Sequence, residues 1–367
     1  PAMELFRAAI LHTPRDPFQT PAPLEAWTDG ALAVDAGRVS ACGDYAALAR
    51  QYPAAKVHDW RGGFILPGFV DTHVHYPQVR VIGGLGQQLL DWLAGNTLPE
   101  EARFADLAYA QTVAEEFCHG LISHGTTSAL VFAAHFAPAT ACLFEAAGRR
   151  GLRLTTGLVL GDQNLRAELH RSPSVADQES RELIARFHGR GRLRYAVTPR
   201  FALSCSEAML EVCQGLLAAH DGLFFQTHIN ENGSEIEAVA RTFPWAADYL
   251  SVYDRYGLVT GRSVFAHDLH ATGAELDRLG DARAAVAHCP CSNAALGSGL
   301  FPLKRHLEAG VRVALGTDVG GGTGFGLMKE ALQAYLLQRL HPDGYPLSPV
   351  HLLWLATRAG ADALALD

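Results

Sequence analysis

Two histidines one residue apart, His73 and His75, close an apolar run in the stretch VDTHVHYPQ. On a β-strand, residues two apart project from the same face, so both imidazoles can reach one ion. Further apolar runs end in His228, His267 and His288, and another ends in Asp318. Two histidines, a third from another strand and one carboxylate make an N3O donor set suited to zinc, with room left for a water. Such an ion lowers the pKa of its water toward about 7 and makes hydroxide available at neutral pH. A His-x-His pair on a strand is by itself more often structural or exposed. The weight of the metal reading comes from ligand-type residues recurring at the ends of separate runs.

The elements that must position these residues follow from periodicity. Residues 3 to 62 hold short strand-like pieces, LFRAAILHT, GALAVDAGRVSACG and AKVHDW, with one short helical pattern, DYAALARQY. From Phe64 the texture changes to apolar runs alternating with amphipathic segments. Eight runs stand out: FILPGFV, TSALVF, LTTGLVL, LRYAVTP, LFFQTH, SVFAH, AAVAH and VRVALGTD. Eight strand-helix units make an α/β fold, a TIM-like (β/α)8 barrel over residues 64–367 behind a small β-rich domain at residues 1–63. The segment LMKEALQAYLLQRL is expected to be a helix with Leu327, Ala331, Tyr335 and Leu336 on one face. In such a barrel the site forms at the C-terminal ends of the strands, where the candidate ligands fall.

Composition narrows the function classes. A hydrophobic fraction of 49% with 19% charged residues is that of a globular protein, not a disordered or fibrous one. A formal net charge of −8 argues against a nucleic-acid partner, which needs a basic face. No long apolar run suggests a membrane span, and the N-terminal residues do not read as a signal peptide, so a cytoplasmic location is expected. Seven scattered cysteines fit reduced thiols rather than a disulfide framework.

The order His-x-His, His, His, Asp resembles the amidohydrolase superfamily. The stretches PGFVDTHVHYPQ, LLDWLAGNTLPEEARF, VTPRFALSCSE, QTHINEN, AHCPCSNAALGSGLF and LGTDVGGGT resemble, within it, the guanine deaminase family. The resemblance covers nearly the whole chain. It implies one zinc ion per subunit, with iron(II) as the alternative, held by His73, His75, His228 and Asp318. Binuclear relatives bridge two metals through a lysine at the end of strand four. The only lysines here, Lys56, Lys304 and Lys329, lie elsewhere, which favours a single metal.

Hydrolytic deamination needs a hydroxide, a base for the water's proton, and an acid for the ring nitrogen and the departing ammonia. Asp318 is the expected base. By resemblance Glu231 is the proton shuttle, and His267 hydrogen-bonds the attacking water. Guanine presents O6 as an acceptor and N1–H as a donor, which a guanidinium and an amide side chain can satisfy. The resemblance gives these contacts to Arg200 and Gln78. Phe201, Trp92 and Leu93 are expected as wall surface, with His75 and His228 also facing the substrate; His288 is read as structural. A homodimer is implied, as is a segment following the last barrel helix that completes the small domain as a β-sandwich, of which this chain would carry half.

Other signals are weaker. GTDVGGGTGFG lacks the ending of a phosphate loop, and its glycines are read as allowing a tight turn beside Asp318. Cys289 and Cys291 have no second pair, so the cysteine-ligated zinc deaminase pattern fails. Two alternatives remain: deamination of another ring, such as cytosine, a modified purine, a pterin or an s-triazine, and a catalytically silent scaffold.

Overall fold

The computed structural model describes residues 3–366. Four strands, β1 (Glu4–His12), β2 (Glu25–Asp35), β3 (Arg38–Asp44) and β4 (Lys56–Ile65), form one sheet in the order β3-β2-β1-β4. The sequence piece GALAVDAGRVSACG is two strands, not one. Ala36 and Gly37 both adopt positive φ, 49° and 77°, and turn β2 back on β3 as a two-residue hairpin. The expected short helix is Tyr45–Gln51, capped by Asp44 accepting from the N–H of Ala47. Val39, Trp60 and Phe64 of this sheet are exposed.

Eight parallel strands follow: β5 (Phe69–His75), β6 (Thr126–Phe132), β7 (Arg153–Gly157), β9 (Leu193–Pro199), β10 (Phe224–Ile229), β11 (Ser263–His267), β12 (Ala285–His288) and β13 (Arg312–Leu315). A two-residue strand, β8 (Val159–Leu160), pairs with the end of β9. Helices, among them Leu107–Ser123, Ala137–Arg150, Pro173–Phe187 and Glu207–Ala219, separate the strands. The fold is thus a TIM-like α/β barrel with a β-rich N-terminal unit.

The first apolar run is divided. Phe64 and Ile65 finish β4, paired with Ala9 and Ile10 of β1. Pro67-Gly68 then breaks the chain before β5, because proline removes a ladder donor.

The last strand meets the first through backbone contacts past its end. The N–H of Asp318 donates to His73 O at 2.8 Å, and that of His75 to Val319 O at 3.0 Å. Asp71 accepts from the N–H of Thr317 at 3.0 Å and from the N–H of His73 at 3.2 Å. The glycines beside Asp318 are required by close approach: a Cβ on Gly316 would lie 2.8 Å from His73 Cβ, and one on Gly322 would lie 1.9 Å from Thr317 O. The positive φ, 47°, belongs to Asp318 itself.

The helix Leu327–Leu340 forms, but it buries a different face from the expected one. Leu327, Glu330, Ala331, Ala334 and Gln338 point inward, while Tyr335 and Leu336 are exposed together with Met328, Leu332 and Leu340. Two polar residues turn the helix this way. Glu330 Oε2 accepts from the N–H of Cys291 at 3.0 Å, and Gln338 donates to Phe301 O at 2.8 Å. All seven cysteines are unpaired. Among the described residues no helix is long and apolar enough to cross a membrane.

Burial pushes the Glu330 carboxyl up to about 8. A folded-state value raised above the unfolded one means stability that is present at acid pH and lost as pH climbs through the raised value. Glu330→Gln is therefore expected to melt with wild type at pH 4 and to exceed it at pH 9 by on the order of 1–3 kcal/mol. Thermal unfolding at both pH values checks this, and an equal difference at the two would contradict it.

Candidate active site

Every predicted ligand projects from the C-terminal rim. His73 and His75 are alternate residues on β5, His228 lies near the end of β10, and Asp318 is three residues past β13. The Nε2 atoms of His73 and His75 are 3.2 Å apart, as are those of His75 and His228. Asp318 Oδ1 lies 3.3 Å from His73 Nε2 and 3.2 Å from His75 Nε2. All four residues are buried.

The donor set fits a divalent cation. His228 Nδ1 lies 2.5 Å from Arg200 O, a hydrogen bond that places the proton on Nδ1 and leaves the Nε2 lone pair facing the cluster. Burial lowers the pKa of His73, His75 and His228, that of His75 to about 4, and so favours neutral imidazoles. Burial alone would raise Asp318, but hydrogen bonds from His73 and His75 hold its carboxyl well below the usual range. Converging neutral nitrogens beside a carboxylate are the donors a transition-metal ion requires. No lysine reaches the cluster: Lys304 pairs with Asp343 at 2.7 Å, Lys329 donates to Thr323 O, and Lys56 is on β4.

His267 closes β11 in the left-handed region, φ 74°, a costly conformation for a histidine. Its Nδ1 is 2.9 Å from Asn293 Oδ1, and its Nε2 lies 3.8 Å from Asp318 Oδ2 and 3.5 Å from Glu231 Oε2. Glu231 follows β10 and is 3% exposed. The N–H groups of Glu231 and Asn232 both donate to Glu235 Oε2, and Tyr249 donates to Glu235 Oε1 at 2.6 Å, which fixes the loop. Glu231 Oε1 has no hydrogen-bond partner among the described residues. Burial, then the charges of Glu235 and Asp318, push the Glu231 carboxyl well above its ordinary value.

The cluster opens into a pocket lined by His75, Gln78, Trp92, Leu93, Arg200, Phe201, His228, Glu231, His267 and Asp318, and also by Leu89 and Leu296. Leu89, Trp92, Leu93, Phe201 and Leu296 pack together as an apolar cluster apart from the barrel core. Gln78 and Arg200 supply the polar side. All the predicted site residues except His73 therefore line one pocket, and His73 lies directly beneath it. His288 is outside, stacked on Phe301 with ring centroids 4.3 Å apart.

Several residues escaped the sequence reading. Asp71 anchors the strand ahead of His73, and Asn293 orients His267. Buried Glu101 contacts both Gln78 and Arg200, and His135 lies against it. The available signals were slight: Asp71 sits two residues before His73 in the same alternation, and His135 stands three residues beyond β6, at the rim.

A nearly closed barrel with a buried three-histidine, one-carboxylate cluster at its C-terminal rim is the frame of a metal-dependent hydrolase. Residues 64–367 match the amidohydrolase family, and residues 30–55 match a bacterial imidazolonepropionase-like composite domain. A Deinococcus radiodurans protein described as "Probable guanine deaminase" is 58% identical over 371 residues, covering 100% of this chain and 84% of the relative. The guanine deaminase of Escherichia coli K12 is 40% identical over 98% of this chain and 81% of its own length. The solved structure of guanine deaminase from C. acetobutylicum with bound guanine superposes with a TM-score of 0.93 at 27% identity, covering 99% of this chain and 86% of the other. The chain belongs to the amidohydrolase family, among its guanine deaminases, and the family implies a divalent metal at the cluster.

Metal removal tests the cluster. Anything bound only by the folded state adds stability, about 2.7 kcal/mol at a hundredfold excess over Kd. Treatment with a chelator is expected to lower the melting temperature by several degrees, with recovery on adding zinc back. His75→Ala should show no response to either treatment.

Proposed function

We propose that this pocket deaminates guanine hydrolytically, giving xanthine and ammonia, with one zinc ion per subunit. The observation that carries the reading is the shared pocket: Gln78 and Arg200 line the same space as Glu231, His267, His75, His228 and Asp318. The zinc assignment rests on the N3O donor set and on the absence of a bridging lysine; iron(II) would suit the same donors. When bound, the ion acts as a Lewis acid that makes water nucleophilic near neutral pH.

The chain's own residues account for the remaining steps. The apolar wall of Trp92, Leu93 and Phe201 receives the flat ring, while Arg200 and Gln78 hydrogen-bond its edge. His267, held by Asn293, orients the attacking water, and Asp318 takes its proton. Glu231, kept protonated by burial, gives its proton to the ring nitrogen next to the attacked carbon. It is then recharged from Asp318 and protonates the amino group. The C–N bond breaks and ammonia leaves, while the hydroxyl proton on the attacked carbon passes through Asp318 back to Glu231, so that a carbonyl remains on the ring and both carboxyls return to their starting states. One water is consumed for each ammonia released. Glu231 Oε1 has no hydrogen-bond partner among the described residues, which supports this role.

Assembly as a homodimer belongs to the same proposal. The exposed apolar stripe of Leu327–Leu340 supports it, and sedimentation velocity is expected to show a dimer.

Glu231→Gln preserves shape and removes the transferable proton. Loss of a positioned acid costs about 10²–10⁴ in rate, so kcat on guanine should fall by that factor with metal content unchanged. Retention of wild-type kcat would remove Glu231 from the mechanism. A panel including 2,6-diaminopurine, cytosine, pterins and s-triazines tests the ring: ammonia from one of these but none from guanine would contradict the substrate.

A further inference from the structure

Behind the polar wall of the pocket lies a carboxylate that the reaction does not use. Glu101, in the helix Leu98–Ala102, is 1% exposed. Its Oε1 accepts from Gln78 Nε2 at 3.0 Å. Arg200 Nη1 donates to both of its oxygens, at 2.8 and 2.6 Å. Its Oε2 lies 3.2 Å from Nε2 of His135, which is fully buried. The side-chain oxygen of Gln78 accepts in turn from the N–H of Gly320 at 3.1 Å.

These contacts constrain what the pocket presents. Gln78 cannot turn over, because a flipped amide would set its oxygen against the carboxylate and its NH2 against the Gly320 N–H. Arg200 meets Glu101 end-on through Nη1 alone, so Nε and Nη2 are not spent on the carboxylate. The pair also cancels charge. Arg200 thereby acts toward the pocket as a set of hydrogen-bond donors beside the histidine–carboxylate cluster without adding net positive charge. Burial works against an ionised Glu101, but the Arg200 charge and the His135 contact hold its carboxyl well below the usual range.

We propose that Glu101 is a positioning residue that determines ring specificity: it locks the amide of Gln78 and aims the remaining donors of Arg200 so that the pocket favours a ring edge carrying an oxo group over its amino counterpart. The proposal rests on the guanine reading and deepens it. Without this carboxylate Arg200 is left as an uncompensated buried charge, and Gln78 loses the acceptor that holds its NH2.

The test compares wild type with Glu101→Gln and Glu101→Asp. The glutamine keeps the shape and removes the charge; the aspartate withdraws the charge by one methylene and cannot reach both partners. With metal content and circular dichroism as controls, KM for guanine is expected to rise about tenfold or more in Glu101→Gln, with kcat changed by less than about threefold. The aspartate should show a smaller rise. Inhibition by 2,6-diaminopurine should weaken less than guanine binding, narrowing the preference for the oxo ring. A wild-type KM and preference in either folded variant overturns the proposal, as does a fall in kcat with KM unchanged. If Glu101→Gln does not fold, Glu101→Asp decides by the same reading. A wild-type enzyme that releases no ammonia from guanine refutes the substrate reading, not the role of Glu101, which is then decided by the same KM comparison on the ring it does deaminate.

Discussion

The seam between the first and last barrel strands is the constraint on which the site depends. Barrel closure sets β5 beside the segment leaving β13, and the N–H of Asp318 then bonds to His73 O. That one contact places a carboxylate within 3.3 Å of two imidazoles that strand alternation had already put on one face. Asp71 ties the seam from below through Thr317. Glycine is required at 316 and 322 because the backbones approach too closely for a side chain. A shift in strand register there would separate the ligands before it disturbed any other part of the core.

Around this seam the protein keeps polar groups dry and fixes the orienting ones with specific partners. His228 leans on Arg200 O, His267 on Asn293, Gln78 on Gly320 and Glu101, and the loop after β10 on Glu235. In a low-dielectric site such hydrogen bonds keep their geometry during reaction and need no reorganisation. Among the described residues Glu231 Oε1 is one of the few site atoms buried without a partner, as are Asn293 Nδ2 and Ser292 Oγ. Burial that would be a liability elsewhere pushes the Glu231 carboxyl above its ordinary value, which is what the proposed acid role requires.

The barrel was legible because its strands are buried on both faces and read as short apolar runs, and because ligand residues ended those runs. His73 and His75 could be singled out by alternation and Asp318 as the carboxylate ending the last run, while the choice of His228 over His267 and His288, like the reading of Gln78 and Arg200, depended on family resemblance. What escaped has physical causes. Pro67-Gly68 cut an apolar run into two strands of different sheets, and the Ala36-Gly37 turn folded one apparent strand into a hairpin. The helix Leu327–Leu340 was assigned by its apolar residues. Its inward face is set instead by Glu330 and Gln338, whose buried hydrogen bonds outweigh the exposure of Tyr335 and Leu336. Glu101 and His135 were invisible because charged and polar residues in a connecting segment carry no periodic signal of burial.

The most direct measurement is a crystal structure of the protein grown with zinc and soaked with guanine. The account predicts one ion on His73, His75, His228 and Asp318, with the base against Phe201 and its oxo edge on Arg200 and Gln78. Two ions at the cluster, or guanine bound outside this pocket, would contradict it.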